Sequence, residues 1–128
     1  MKNHRSNAFI LGAIVVLILI GLLLVESQTK FMSRLYDDIV MDSKVIYLSC
    51  SELPSVDEVT SVVEQHKDII AQIERVDPGH VGVYVNSFSC PETAYIVIDY
   101  ASHADRLKIE QIINSETFFG IPYELLNR

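Results

Sequence analysis

Two cysteines are the residues of this chain whose chemistry is most easily interpreted. Cys50 follows an apolar run in YLSCSELP, and Cys90 lies beside a proline in NSFSCPETAY. The pair lacks C-x-x-C spacing and has no basic or histidine neighbour that would lower a thiol pKa, which argues against a redox-active pair. In the predicted fold both cysteines lie at one edge of the sheet. We therefore predict a structural disulfide and an oxidising compartment, with two unrelated free thiols as the alternative.

A second group of candidate residues combines two imidazoles with two carboxylates. Asp77 and His80 precede one predicted strand, whereas His103 and Asp105 follow the next. These side chains are suitable ligands for Zn²⁺ or another divalent metal. The spacing resembles no established ligand motif, and the two aspartates serve equally well as a helix stop and as part of a capping box. A metal or small-ligand sensing site is therefore the alternative functional hypothesis.

The sequence contains none of the familiar catalytic or nucleotide-binding signatures. G-x-G-x-x-G, the P-loop, G-x-S-x-G and H-E-x-x-H are all missing. The formal net charge is −7, and all 17 Asp and Glu residues follow the apolar amino-terminal segment. Because such a domain repels phosphate backbones, we expect no nucleic-acid binding. We also expect neither an enzyme nor a cofactor.

Residues 8–25, AFILGAIVVLILIGLLLV, form an uncharged apolar segment. As a helix they extend about 27 Å, which is enough for a thin bilayer. Lys2 and Arg5 precede the segment, and basic flanks tend to stay cytoplasmic. We predict a single-pass plasma-membrane protein with residues 1–7 as a short cytoplasmic tail and the carboxyl-terminal domain outside. A signal peptide cleaved after Ser27 is the alternative, although its apolar region usually has only about 7–15 residues.

Residues 26–43 are predicted to continue the anchor as an amphipathic, membrane-proximal helix. Phe31, Leu35 and Ile39 recur at i, i+4 and i+8, with charged residues between them. Two interpretations of this stripe are open. It packs on its own domain, or it forms the seam with a partner helix or with a second copy of the chain.

Residues 44–128 are predicted to form a β-α-β-β-α-β domain. Ser55 and Ser102 are good caps for its two helices. The order is typical of the ferredoxin-like, or split βαβ, fold. That α+β fold has an antiparallel sheet of order 4-1-3-2 with both helices on one face, and Pro122 suits its last, edge strand. The predicted strands cover 44–50, 80–88, 93–101 and 117–126, and the predicted helices cover 55–76 and 102–114.

The sheet face away from the helices is predicted to be uncovered. Tyr84, Tyr95 and Val97 alternate onto that face, and little chain remains to cover it. Exposed aromatic patches often mark interfaces. These residues, together with the stripe in 26–43, are the candidate contacts for a membrane-protein partner or a homodimer.

The order of tail, single span, amphipathic helix and small βαββαβ domain resembles the membrane assembly-platform proteins of type II secretion and type IV pilus systems. The resemblance is one of architecture and includes no shared motif. It implies a role in pairing and scaffolding. We therefore expect a non-enzymatic, membrane-anchored interaction or assembly module.

Overall fold

The computed structural model describes residues 2–128, with side chains described from Ala8 onward. The chain divides into two compact units, one ending at Leu35 and the other spanning Tyr36–Arg128. The first unit contains helix α1, Lys2–Thr29. Its stretch Ala8–Thr29 has a mean hydropathy of 3.3 and is 0% buried. Length and composition therefore suffice to cross a membrane, and a signal sequence near an amino terminus has the same properties.

The segment that follows α1 is a separate helix and not the predicted continuation of the anchor. Lys30 adopts a left-handed conformation with φ 52°, which ends α1, and α2 then covers Phe31–Ile39. The Glu26 carboxylate accepts hydrogen bonds from the backbone N–H groups of Met32 at 2.6 Å and Ser33 at 3.1 Å. These are N–H groups that the first turn of a helix leaves unsatisfied, so Glu26 caps α2 from the preceding helix.

The second unit is a mixed α+β structure with capped helices near the predicted positions. The first predicted helix is divided at His66, whose φ of −118° and ψ of 32° are not helical. Ser55 Oγ accepts from Glu58 N–H, and Ser102 Oγ accepts from Asp105 N–H, as expected for N-caps. The helices of this unit are α3 (Val56–Gln65), α4 (Lys67–Glu74) and α5 (His103–Ile113).

Three strands form one sheet of order β1-β2-β3. β1 and β2 form an antiparallel hairpin with Gly82 opposite Asp99. β3 pairs with β2 in parallel. The strands are β1 (Gly82–Asn86), β2 (Tyr95–Tyr100) and β3 (Tyr123–Asn127).

This sheet differs from the predicted four-stranded antiparallel sheet, so the ferredoxin-like fold is not confirmed. Residues 44–50 contribute a single bridge, Lys44 opposite Leu125, and β3 occupies the place beside β2 that the prediction gave to the first strand. A local contact limits residues 44–50 to that single bridge. The N–H of Ile46 donates to the Glu124 Oε1 at 3.2 Å, so a side chain takes the place of the next ladder acceptor.

The core lies between the sheet and helices α3, α4 and α5. Alternate β2 residues Ile96, Ile98 and Tyr100 are 0% exposed, as the period of two predicts. They form one cluster with Val59, Ile73 and Ile109 from the three helices. The helices therefore share one face of the sheet, as the sequence predicted.

Candidate functional site

The two cysteines form the predicted disulfide. Cys50 and Cys90 are bonded, with their Cα atoms 5.5 Å apart. Cys50 begins a short 3₁₀ turn, Cys50–Glu52, and Cys90 lies in the connection between β1 and β2. The bond therefore links the start of the α+β unit to its hairpin.

The four candidate metal ligands are divided between two places. His80 Nδ1 lies 3.3 Å from Asp77 Oδ1, an interaction between neighbours in one turn. The imidazole of His103 instead approaches Asp42, with 2.7 Å between Nδ1 and Oδ1. Asp105 is buried and bonds to Ser102, as a capping residue does. In residues 8–128, no three His, Cys, Asp or Glu side chains form a group that could hold a metal ion.

A shallow surface depression lies near the Asp77–His80 turn. Its volume is about 510 Å³, and it is open to solvent. Small-molecule sites usually enclose most of the ligand surface, which this depression does not do. It is lined by Ala71, Glu74, Arg75, Pro78, Gly79 and Val81.

The densest polar cluster of the second unit surrounds Arg106, a residue that sequence analysis did not select. The Arg106 side chain is 9% exposed. Its Nη2 bonds to the carboxylate of Asp38, its Nη1 lies 3.0 Å from Asp42 Oδ1, and its Nε lies 2.9 Å from Glu110 Oε1. We call Arg106 and its three acids, with His103, the Arg106 cluster.

Local structure positions each member of the Arg106 cluster. The helical turn after α2 ends at Asp42, which has a left-handed φ of 47°, and Ser43 N–H returns to Asp37 C=O at 2.8 Å. This bond satisfies a carbonyl group that the end of the helix leaves unpaired. Arg106 and Glu110 lie four residues apart on α5, where such pairs meet. The cluster therefore joins the end of α2 to the beginning of α5.

The cluster changes the acidity of its members. Partial burial acts to raise the pKa of Asp42, but hydrogen bonds from His103 and Arg106 outweigh it and hold that pKa below its ordinary value. Burial and then the nearby charge of Asp42 raise the pKa of Tyr100 to about 12. The Tyr100 hydroxyl is buried without a hydrogen-bond partner among the described residues. These groups stabilise the ionised carboxylate and the neutral phenol, and they present no nucleophile beside a base.

The sheet face predicted to be open is largely closed. Val97 is 1% exposed, Tyr95 is half-buried and Glu124 is 8% exposed, so these positions offer little contact surface. Tyr84, on the edge strand β1, retains 39% exposure. The N–H of Ile46 bonds to Glu124 on this face, so residues near Lys44 cover part of it. The sequence had predicted these residues to lie within the sheet instead.

The α2 candidates are exposed. Phe31 and Leu35, in the first unit, are 60% and 40% exposed, and Ile39, in the second, is 69% exposed. The interpretation in which this stripe packs on its own domain is therefore wrong for Ile39, which the second unit leaves open. The other interpretation, a partner or dimer seam, stays a prediction.

The Arg106 cluster could have been found only in part from sequence. The i, i+4 pair of Arg106 and Glu110 is visible on a predicted helix, but its acidic partners lie more than 60 positions away in the segment assigned to a stalk. In the part of the chain that the structure describes, the arrangement joins the end of α2 to α5. No protein-family model, curated protein or solved structure matches this chain.

Proposed function

We propose that this protein is a single-pass, membrane-anchored interaction module whose α+β domain lies outside the cytoplasm and contacts a membrane-protein partner or a second copy. The observation that carries the proposal is the stretch Ala8–Thr29, a 22-residue apolar helix that is 0% buried and therefore needs an apolar environment. Lys2 and Arg5 support the orientation with the amino terminus in the cytoplasm. The Cys50–Cys90 disulfide supports an oxidising compartment for the domain.

The edge of β1 is the contact surface that fits this role. β1 is an outer strand of the sheet, and its sequence GVYVN contains no Pro, Lys or other charged residue. Natural sheets usually protect such an edge with charge, proline or a bulge. The residues of β1 provide no such protection, although the Arg128 guanidinium contacts Tyr84. An edge strand of this composition accepts an additional strand from another chain, as in β-strand addition. Tyr84 lies at the centre of β1 and is the candidate residue with side-chain exposure there.

The first test is purification of the tagged full-length protein from its own host membrane in mild detergent, with mass spectrometry and light scattering. We expect a stoichiometric partner or a homodimer, which Tyr84→Lys abolishes by placing a charge on the sheet edge. Leu107→Lys, at a 47% exposed position on α5, is the matched control and should retain the complex. A monomer without any partner, or equal loss in both variants, refutes the interaction proposal.

The anchor is tested separately by intact mass. If α1 is an uncleaved anchor, the membrane-extracted protein retains residues 1–27. If α1 is a signal peptide, the mature chain begins after Ser27 and is released by alkaline carbonate, and the anchor proposal fails.

A further inference from the structure

In the residues that begin the second unit, acidic side chains bond to the rest of the unit while apolar side chains stay exposed. In a helix on a globular domain, the apolar stripe normally faces the core and the charged residues face water. Here two acids bond to the rest of the unit, Asp37 from a half-buried position and Asp38 from one that is 58% exposed. Tyr47 Oη donates to the Asp37 carboxylate, and Asp38 bonds to the Arg106 guanidinium.

The apolar side chains of the same segment face outward. Tyr36, Ile39 and Val40 follow the i, i+3, i+4 spacing of one helix face, and Met41 comes directly after them. Their exposed fractions are 56%, 69%, 61% and 52% in that order. We call these four residues the apolar strip.

The Arg106 cluster fixes the orientation of the apolar strip. Burying the strip on its own domain requires the helix to roll, which separates Asp38 and Asp42 from Arg106. An Arg106 side chain that is 9% exposed would then lose two of its three carboxylate partners. The strip is therefore held away from its own core and is open to an apolar surface outside this unit.

The length of the chain limits which surface that is. α1 ends at Thr29, and the nine residues of α2 span about 14 Å. If α1 crosses a bilayer, Ile39 lies within about 18 Å of the membrane end of the span. The headgroup layer is itself about 5–8 Å thick. The bilayer boundary is thus within reach of the strip by connectivity alone, and the break at Lys30 allows α2 a direction different from that of α1.

We propose that the apolar strip inserts into the lipid bilayer at the boundary between headgroups and acyl chains and so seats the α+β domain on the membrane surface. Amphipathic helices that lie in this boundary bury an apolar face about 5–10 Å deep. The strip itself contains no charge, and two nearby acids, Asp38 and Asp42, are already paired with Arg106. Zwitterionic lipid is therefore sufficient for binding. The inference depends on the proposed anchor, and it assigns lipid, not protein, to the residues from Tyr36 to Met41.

The chain contains no Trp, so single Trp variants of the full-length protein report depth cleanly. Ile39→Trp reads the strip, Leu17→Trp reads α1, and Phe88→Trp, at a 98% exposed loop position, is the aqueous control. Each variant is reconstituted in phosphatidylcholine vesicles containing lipid brominated either near the headgroup or deep in the acyl chain. Tyr36→Trp, a conservative replacement on the strip, repeats the measurement if Ile39→Trp folds poorly.

We expect Ile39→Trp emission to shift to the blue and to be quenched more by shallow than by deep bromine. Leu17→Trp should show the opposite depth preference, and Phe88→Trp should show water-exposed emission without quenching. If bromine quenches Leu17→Trp but not Ile39→Trp, the inference is overturned and the anchor proposal stands. Blue-shifted emission from an unquenched Ile39→Trp would then indicate that a protein surface covers the strip. Unquenched Leu17→Trp overturns the anchor, and the inference with it.

Discussion

Replacing Arg106 by Met should destabilise the second unit strongly, because it removes the charge that joins three acids. Met retains the apolar stem of the side chain, so the change in packing is small. The three carboxylates differ in exposure. Asp38 is 58% exposed and Glu110 36%, whereas Asp42 is only 20% exposed.

These exposures determine the magnitude. Water can hydrate the carboxylates of Asp38 and Glu110 when Arg106 is lost. Each exposed ion pair of this kind contributes about 0–1 kcal/mol to the free energy of unfolding. Asp42 remains poorly hydrated, and removing one partner of a buried pair costs about 3–5 kcal/mol when no water reaches the charge. With partial hydration of Asp42, we expect a total loss of about 3 kcal/mol. For a domain of this size that corresponds to a fall in melting temperature of about 12–24 °C.

The assay is thermal unfolding of the full-length protein in detergent, followed by near-ultraviolet circular dichroism. All six tyrosines lie in the second unit, so the signal reports that unit and not α1. Arg75→Met is the matched control, because Arg75 is exposed and its Nε bonds only to Ala71 C=O of its own helix. The control should change stability by less than about 0.5 kcal/mol.

A double variant separates the loss of attraction from the cost of a stranded charge. Adding Asp42→Asn to Arg106→Met removes the carboxylate that water reaches least, and it should restore about 1–2 kcal/mol. Equal melting temperatures for Arg106→Met and Arg75→Met would refute the assignment of the Arg106 cluster as the joint between α2 and α5.

Three further predictions concern the stability of the same unit. Replacing Cys50 and Cys90 by Ser opens a loop with a sequence separation of 40 and should cost about 4 kcal/mol, read from denaturant unfolding; a loss below about 1 kcal/mol would contradict it. Burial raises the pKa of Glu124, so the protein loses the stabilising protonated form as pH rises through that pKa. The melting temperature of Glu124→Gln should therefore rise relative to that of the parent protein from about pH 4 to pH 7. A difference in melting temperature that stays constant over this range would count against the prediction. The lowered pKa of Asp42 has the opposite sign: its contribution is present above its ordinary pKa and lost as pH falls through the folded value, so Asp42→Asn should flatten the decline of melting temperature below about pH 4.

Local sequence signals predicted the parts of the fold that depend on neighbouring residues. Ser55 and Ser102 cap the helices that their spacing to Glu58 and Asp105 indicated. The hairpin follows from two adjacent runs of strand composition that a short connection separates. Predicting the disulfide required only that the segment ending at Cys50 and the connection containing Cys90 lie at the same edge of the sheet.

The arrangement of the sheet could not be predicted in the same way. Residues 44–50 and residues 123–127 have similar strand composition, and both are candidates for the free edge of β2. β3 occupies that position, with Tyr123 and Leu125 buried in the core. The buried Glu124 carboxylate then accepts a hydrogen bond from the N–H of Ile46. This choice depends on which segment fills the core better, a non-local property for which composition gives no measure.

The sequence also gave no sign of the break between α1 and α2. A lysine at positive φ is uncommon, and neither Lys30 nor its neighbours is a Gly or Pro that would mark the end of a helix. The stabilising contact comes from Glu26, whose carboxylate reaches six and seven residues along the chain. The partner of His103 was also a distant residue that the sequence pattern did not indicate. It is Asp42, in the segment predicted to be a membrane-proximal helix, and not one of the candidate metal ligands.

Relative magnitudes explain why the apolar strip needs an external apolar surface. Fully burying an exposed Ile, Val or Met side chain stabilises by roughly 1.5–3 kcal/mol. Ile39, Val40 and Met41 are 69%, 61% and 52% exposed, so burying what remains of them represents roughly 3–5 kcal/mol in total. The Arg106 cluster contributes about 3 kcal/mol toward holding the strip outward. The two quantities are of similar size, so rolling the strip onto the domain would gain about as much as it costs. In contact with lipid, the acids keep their ion pairs with Arg106 and the apolar strip also leaves water. Because neither contribution is lost there, we assign these residues to the bilayer boundary.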